Sequence, residues 1–331
     1  MRRSYIWCLA GFVIVCIIWL HLLLENLKFV IPPTKHKFFN FDNVTGVEEI
    51  IVPNVIHFIL FGQNSLDFVS FLSILSALKV QQPEIVYIHS DAEKFGGHYW
   101  TVLQTLSFPN TSLVLSYRPR PTHVFGQPLS SVYHASDVAR IQVLMECGGI
   151  YIDADTLILR SLNRFRHFEM AVGWPQGEYM GTQILVAHKE ARFLPLWLNS
   201  YRHYHPRDWY YNAGQQPTEQ ILDKAPYLVH RVPGLFGVHN LAARLYGLNP
   251  WPQWHRMFTV HLLSRHAPAP QKLDEKFVIH YRAPFGDMAR WLLYKLEPKV
   301  PFPQAGHYIY SKSMNTSICS IGGSSGTAII Y

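Results

Sequence analysis

The 331-residue sequence predicts an α/β fold with a mostly parallel central sheet, preceded by one N-terminal transmembrane helix. Three observations predict it. Residues 6–24 form 19 consecutive uncharged positions, from Ile6 to Leu24. From Val52 onward, short apolar runs alternate with stretches of helical period. One apolar run, Ile150-Tyr151-Ile152, ends in a pair of carboxylates, Asp153 and Asp155. Strands that alternate with helices pair in parallel and carry the helices on the sheet faces.

At ~1.5 Å rise per residue the first run is long enough to cross a ~30 Å hydrocarbon core. Arg2 and Arg3 precede it, which assigns residues 1–5 to the cytosol and the rest of the chain to the lumen, a single-pass type II signal-anchor. A cleaved signal peptide is the alternative, but the run is longer than an ordinary apolar signal region and no small-x-small site follows. Asn43-Val44-Thr45, Asn110-Thr111-Ser112 and Asn315-Thr316-Ser317 fit the N-glycosylation triplet, in keeping with a lumen. Of four cysteines, Cys8 and Cys16 fall in the span, and Cys147 and Cys319 could pair in an oxidising compartment. The formal charge of +7 is spread along the chain without a basic block, so no nucleic-acid partner is expected.

Residues 25–52, with Pro32-Pro33 and no apolar period, read as a stem, 53–300 as one domain, and the Ser/Gly-rich 301–331 as a tail. Val55 to Phe61, closed by Gly62, reads as a buried strand. Leu66, Val69, Leu72 and Leu75 follow at helical spacing within 65–80. Residues 84–89 and 112–116 read as the second and third strands. Ser136 or Asp137 can cap a helix whose inward face is Val138, Ile141, Leu144 and Met145, and Gly148-Gly149 stops it. Asp153 and Asp155 then stand at the C-terminal end of a strand, where open α/β sheets bind ligands.

Two carboxylates at i and i+2 on an extended segment point the same way and can grip one hard cation. Such a cation neutralises a diphosphate and stabilises it as it leaves. Asp137 and Arg140, three apart on the preceding helix, form either a surface ion pair or part of the same site.

Ser136-Asp137-x-x-Arg140, followed by Gly148-Gly149-Ile150-Tyr151-Ile152-Asp153-Ala154-Asp155, resembles the glycosyltransferase sugar-binding-region family with the Asp-x-Asp motif. That family includes yeast Golgi α-mannosyltransferases, animal α-1,4-galactosyl- and α-1,4-N-acetylglucosaminyltransferases and, more distantly, clostridial glucosylating toxins. The resemblance covers roughly residues 53 to 225. It implies a GT-A-type, Rossmann-like nucleotide-sugar-binding domain in the Golgi membrane. It further implies metal-dependent retaining transfer of a hexose or N-acetylhexosamine to a glycan or glycolipid. The implied cofactor is Mn2+ or another divalent cation, and the donor a nucleotide-sugar, a UDP-sugar foremost. Asp137 and Arg140 would contact the donor, Asp153 would bridge ribose, sugar or metal, and Asp155 would hold the metal. The first strand, with His57, Phe58 and Ile59, would border the nucleotide. Phe258-Thr259-Val260-His261-Leu262 is similar to the family's late His-containing strand, which makes His261 the third metal group. Leu60, Leu262-Leu263 and Met180-Gly181 stand where the family commonly carries other residues.

Blander assignments compete. His57 also reads as a hydrogen-bonded core histidine, and His280 competes with His261. The aromatic run Trp197, Tyr201, Tyr204, Trp209, Tyr210 and Tyr211 reads as core, with sugar stacking as the alternative. Glu178 could touch an acceptor. Ile152-Asp153-Ala154-Asp155-Thr156 also fits a haloacid-dehalogenase-type phosphatase, although that motif ordinarily opens its domain. A non-catalytic glycan-binding scaffold on the same fold is the remaining alternative.

Overall fold

Each expected apolar run becomes a strand of one seven-stranded sheet in the computed structural model, which describes residues 36–297 together with positions 15, 17 and 19. β1 (Val55–Ile59), β2 (Ile85–Ser90) and β3 (Ser112–Tyr117) pair in parallel. A small hairpin, β4 (His123–Val124) and β5 (Gln127–Pro128), follows. β6 (Gly149–Ile152) joins the other edge of β1, again in parallel. β7 (Thr156–Ile158) leaves the sheet, and the chain returns through β8 (Met170–Gly173), β9 (Ile184–Ala187) and β10 (His230–Val232). The order is β10-β8-β9-β6-β1-β2-β3, with β9 antiparallel to both its neighbours. β11 (Thr259–His261) pairs with β7 as a separate antiparallel ribbon.

The helices are α1 (Phe68–Ser76), α2 (His98–Thr105), α3 (Val132–Cys147), α4 (Phe193–Ser200), α5 (Ala242–Tyr246), α6 (Glu275–His280) and α7 (Pro284–Arg290). They cover both faces, so β6, β8 and β9 are buried along their whole length and their sequences are continuous apolar runs. The pleat of β1 divides its side chains between two cores. Ile56 and Phe58 pack on the α1 side with Phe71, Leu72 and Leu75. Ile59 packs on the other side with Tyr151, Val138, Ile141 and Trp197, under α3 and α4. Burying each large apolar side chain contributes about 1.5–3 kcal/mol.

The expected cap of α3 moves back by five residues, from Ser136 to Ser131. Ser131, with extended backbone, accepts from the His134 N–H, so Ser136 and Asp137 lie inside the helix. Ser130-Ser131 offered the same cap chemistry five residues earlier. Gly148 and Gly149 stop the helix as expected, at φ +66° and +111°. A Cβ on Gly149 would lie 2.6 Å from the Val55 carbonyl oxygen, so close strand pairing and a left-handed backbone both require glycine.

The segment read as a stem is docked against the domain from residue 36. Phe38, Asn43 and Val52 are buried. Arg192 donates to the Phe39 and Phe41 carbonyls while its guanidinium pairs with the buried Glu169 at 2.8 Å. Asn43 donates to Glu169 (3.1 Å) and to the Tyr227 carbonyl (2.9 Å), and it accepts from the Glu169 N–H (3.1 Å). The composition of 25–52 suggested a loose spacer because its anchoring partners lie more than 100 residues away. Of the glycosylation triplets, Asn43 is thus buried and fully engaged, Asn110 is exposed, and Asn315 lies outside the described residues. So do the tail 301–331 and, apart from three single positions, the apolar run 6–24. Among the described residues no helix is long and apolar enough to cross a membrane. Cys147 is disulfide-bonded, and Cys319, its expected partner, is outside the described residues.

Candidate metal centre and active-site cleft

Asp153 and Asp155 sit on the turn where the chain leaves the sheet, not on the extended segment that their spacing suggests. The Asp153 N–H donates to the Gln183 carbonyl (2.9 Å), and the Thr156 N–H closes back on the Asp153 carbonyl (3.0 Å). Ser73 of α1 donates to the Thr156 carbonyl at 2.5 Å and fixes the exit from below. β7 then pairs with β11 in a register that sets His261 opposite Thr156, and the Leu262 N–H donates to the Asp155 carbonyl at 2.8 Å. This ribbon delivers His261 to the carboxylates, with Nε2 3.2 Å from Asp155 Oδ1. One ligand atom from each of Asp153, Asp155 and His261 lies within 4.8 Å of the others.

The three groups tune one another. Burial raises the Asp155 carboxyl, but the charge and hydrogen bond of His261, then Arg265, outweigh it and hold the group below the usual carboxylate range. Burial lowers the His261 imidazole, but Asp155 and then Asp153 outweigh it and hold the ring above its ordinary value. Two carboxylate oxygens and one imidazole nitrogen, with no thiolate, are a donor set suited to Mn2+ or Mg2+. The residues present therefore fit a divalent cation.

Arg140 organises the wall beside this cluster. It is 6% exposed, with Nη2 2.9 Å from Asp137 Oδ1 and 3.4 Å from Asp153 Oδ1. Its Nη1 donates to the carbonyl and the hydroxyl of Thr182, each at 2.9 Å. The guanidinium also stacks 4.7 Å from the Tyr151 ring centroid, and the Tyr151 hydroxyl donates to Asp153 Oδ1 at 2.6 Å. Asp153 is thereby oriented from two directions. Burial pulls the Arg140 guanidinium down, but Asp153, Tyr151 and Asp137 outweigh it and hold it above its ordinary value. Burial, helped by Asp153, lifts the Asp137 carboxyl against the pull of Arg140. The ion pair is buried and belongs to the site; it is not the surface pair that an i, i+3 spacing also allows.

A cleft of about 1170 Å³ opens over these groups, and Ile59, Asp137, Arg140, Asp153, Asp155 and His261 all line it. Two expected donor contacts do not. Phe58 points into the α1-side core, as its place in the β1 pleat dictates. His57 is fully buried, with Nδ1 3.0 Å from His89 Nε2 and Nε2 3.0 Å from the Gly148 carbonyl, and burial holds its pKa at about 4. It is the core histidine of the blander assignment. His280 ends α6 and does not line the cleft, whereas Glu178 does.

Tyr151, Thr182, Arg120 and Arg265 also line the cleft and were not singled out in the sequence. Tyr151 was legible, because a residue two before Asp153 in a run read as extended shares its face. Thr182 and Arg265 carried no local signal, since only the sheet order and the β7–β11 ribbon bring them in. The aromatic run splits: Trp197, Tyr201 and Tyr204 are buried, while Trp209 and Tyr210 line the cleft.

Residues 76–171 match the family described as glycosyltransferase sugar-binding region containing DXD motif. Glucan organizing enzyme 1 of Cryptococcus neoformans var. grubii is 22% identical over 227 residues, covering 62% of this chain and 56% of its own. The chain thus spans little more than half the length of that curated relative. Among solved structures, the PaToxG glycosyltransferase aligns at 20% identity over 74% of this chain and 89% of its own, with a TM-score of 0.36. The glycosyltransferase GlyE of Streptococcus pneumoniae TIGR4 aligns at 9% identity over 75% and 65%, with a TM-score of 0.44. The galactosyltransferase LgtC, solved with donor and acceptor sugar analogues, aligns at 13% identity over 75% and 98%, with a TM-score of 0.41. The matched stretch contains Asp137, Arg140, Asp153 and Asp155, so the residues around the cleft's acidic cluster are similar to the DXD-containing sugar-binding region of glycosyltransferases.

Proposed function

We propose that this chain is a metal-dependent, retaining glycosyltransferase with a GT-A-type domain. It moves a hexose or N-acetylhexosamine from a nucleotide-sugar, a UDP-sugar foremost, to a glycan or glycolipid. The observation that carries this is the convergence of Asp153, Asp155 and His261 within 4.8 Å, beside the buried Asp137–Arg140 pair and in one cleft. The run 6–24 would anchor the chain as a type II protein of the Golgi membrane, with the domain in the lumen.

In this mechanism Asp153, Asp155 and His261 would hold the divalent cation. When bound, that cation supplies charge neutralisation for the donor diphosphate. Tyr151 and Arg140 fix the Asp153 carboxylate, so little reorganisation is needed as charge develops. Asp137, positioned by Arg140, faces the cleft as an acceptor for donor hydroxyls. Glu178 stands at the exposed rim as a candidate acceptor contact. Retention without an assigned side-chain nucleophile calls for attack on the face the diphosphate leaves, with the diphosphate taking the acceptor's proton. The strand order weighs against the phosphatase alternative, because β1, β2 and β3 precede the Asp-x-Asp turn in the chain.

The test is nucleoside diphosphate release from a panel of UDP-sugars and GDP-mannose with Mn2+. Release that EDTA abolishes supports a transferase. Donor binding without any release would make the chain a scaffold on this fold.

A further inference from the structure

Trp209 stands apart from its aromatic neighbours. Trp197, Tyr201 and Tyr204 are 0%, 1% and 6% exposed, whereas Trp209 is 57% exposed. A single exposed aromatic needs no explanation, but Trp209 is not alone. It packs against Tyr133 with ring centroids 4.8 Å apart and planes at 61°; Tyr133 is itself half-exposed, and both line the cleft. Arg265, on the loop after β11, lays its guanidinium 4.6 Å from the Tyr133 ring centroid. Three segments distant in sequence therefore meet at one aromatic edge of the cleft.

The helix α3 places that edge relative to the metal groups. Tyr133, Asp137 and Arg140 stand at i, i+4 and i+7 on one helix face, so Tyr133 lies roughly 10 Å along the axis from Arg140. That distance leaves room for one sugar beside Asp137 and Arg140 and a second against the aromatic edge. Glu178, His239 and Asn240 line the same cleft and supply hydrogen-bonding groups, with Asn240 Nδ2 3.4 Å from Glu178 Oε1. An aromatic face flanked by polar side chains matches the two surfaces of a pyranose, one of C–H groups and one of hydroxyls.

We propose that Trp209 and Tyr133 form the acceptor subsite, stacking the apolar face of a pyranose ring, with Arg265 bracing Tyr133 from the metal side. This rests on the glycosyltransferase reading above, and the experiment separates the two. The protein and its Trp209→Ala and Trp209→Phe variants are assayed with methyl galactoside, glucoside, mannoside and N-acetylglucosaminide as acceptors. UDP binding and acceptor-free donor hydrolysis are measured separately. Trp209→Ala is expected to raise the acceptor KM about tenfold, with Trp209→Phe recovering most of the loss. UDP affinity and hydrolysis should stay within about twofold of the unsubstituted protein. An unchanged acceptor KM overturns the proposal. An equal loss of UDP affinity also overturns it, because the ring then serves the nucleobase. If the unsubstituted protein neither binds nor hydrolyses any donor, the glycosyltransferase reading has failed. Stacking is then read by NMR saturation transfer to the same glycosides: a signal lost in Trp209→Ala upholds it, and one retained or never seen overturns it.

Discussion

Replacing Arg140 with methionine should cost stability before it costs chemistry. The substitution keeps much of the side-chain volume but removes the ion pairs to Asp137 (2.9 Å) and Asp153 (3.4 Å) and two bonds to Thr182. Breaking one side of a buried pair leaves an uncompensated charge and costs about 3–5 kcal/mol. That is a large share of the roughly 5–15 kcal/mol that holds a domain together. Adding Asp137→Asn removes the stranded charge, so the double variant should regain about 2 kcal/mol despite carrying one more substitution. The assay is urea unfolding in EDTA, followed by tryptophan fluorescence. The deficit of Arg140→Met should shrink as pH falls from 7.5 towards 5. Burial already lifts the Asp137 carboxyl, and without the guanidinium the folded state keeps that proton to higher pH than the unfolded chain does. A single variant within about 1 kcal/mol of the parent, or a double variant less stable than the single, would refute the reasoning.

Three further outcomes can be checked. His57 stays neutral in the folded state down to about pH 4, while the unfolded chain takes up that proton near 6.5; stability present above pH 6.5 is therefore lost as pH falls towards 4. The His57 share of the loss at pH 5 should be about 2 kcal/mol in chemical denaturation, so a His57→Gln variant that still folds should lose about that much less, with the buried His89, also held below its ordinary value by burial, still contributing a loss of its own. Asn43→Ala strips Glu169 of a side-chain donor and should cost about 1.5–3 kcal/mol, read as faster proteolysis within residues 36–52. His261→Ala should weaken Mn2+ binding at least about tenfold while His280→Ala leaves it unchanged, because His261, and not His280, reaches the carboxylates.

The elements built from local pattern were legible in the sequence. The runs Val55 to Phe61, 84–89 and 112–116 correspond to β1, β2 and β3, the first ending two residues earlier, at Ile59, since apolar runs mark strands of a covered sheet. Gly148-Gly149 marked the end of α3, and at Gly149 no side chain fits against the Val55 carbonyl. The three groups that cluster at the cleft, Asp153, Asp155 and His261, were each named from the sequence, His261 only through resemblance to a late histidine strand. What could not be read is what distance in sequence conceals. The docking of residues 36–52 depends on Glu169 and Arg192, and the assignment of His57 and Phe58 depends on which pleat face meets which core. The aromatic run 197–211 looked uniform, yet its members divide between core and cleft, because burial there follows tertiary packing and not period.

Calorimetric titration of Mn2+ and UDP into the protein and into Asp155→Asn tests the central claim most directly. One Mn2+ should bind, UDP should bind tightly only with Mn2+ present, and Asp155→Asn should lose at least about tenfold in metal affinity while unfolding at the same urea concentration. Equal Mn2+ affinity in the two proteins, or UDP binding indifferent to the metal, would contradict it.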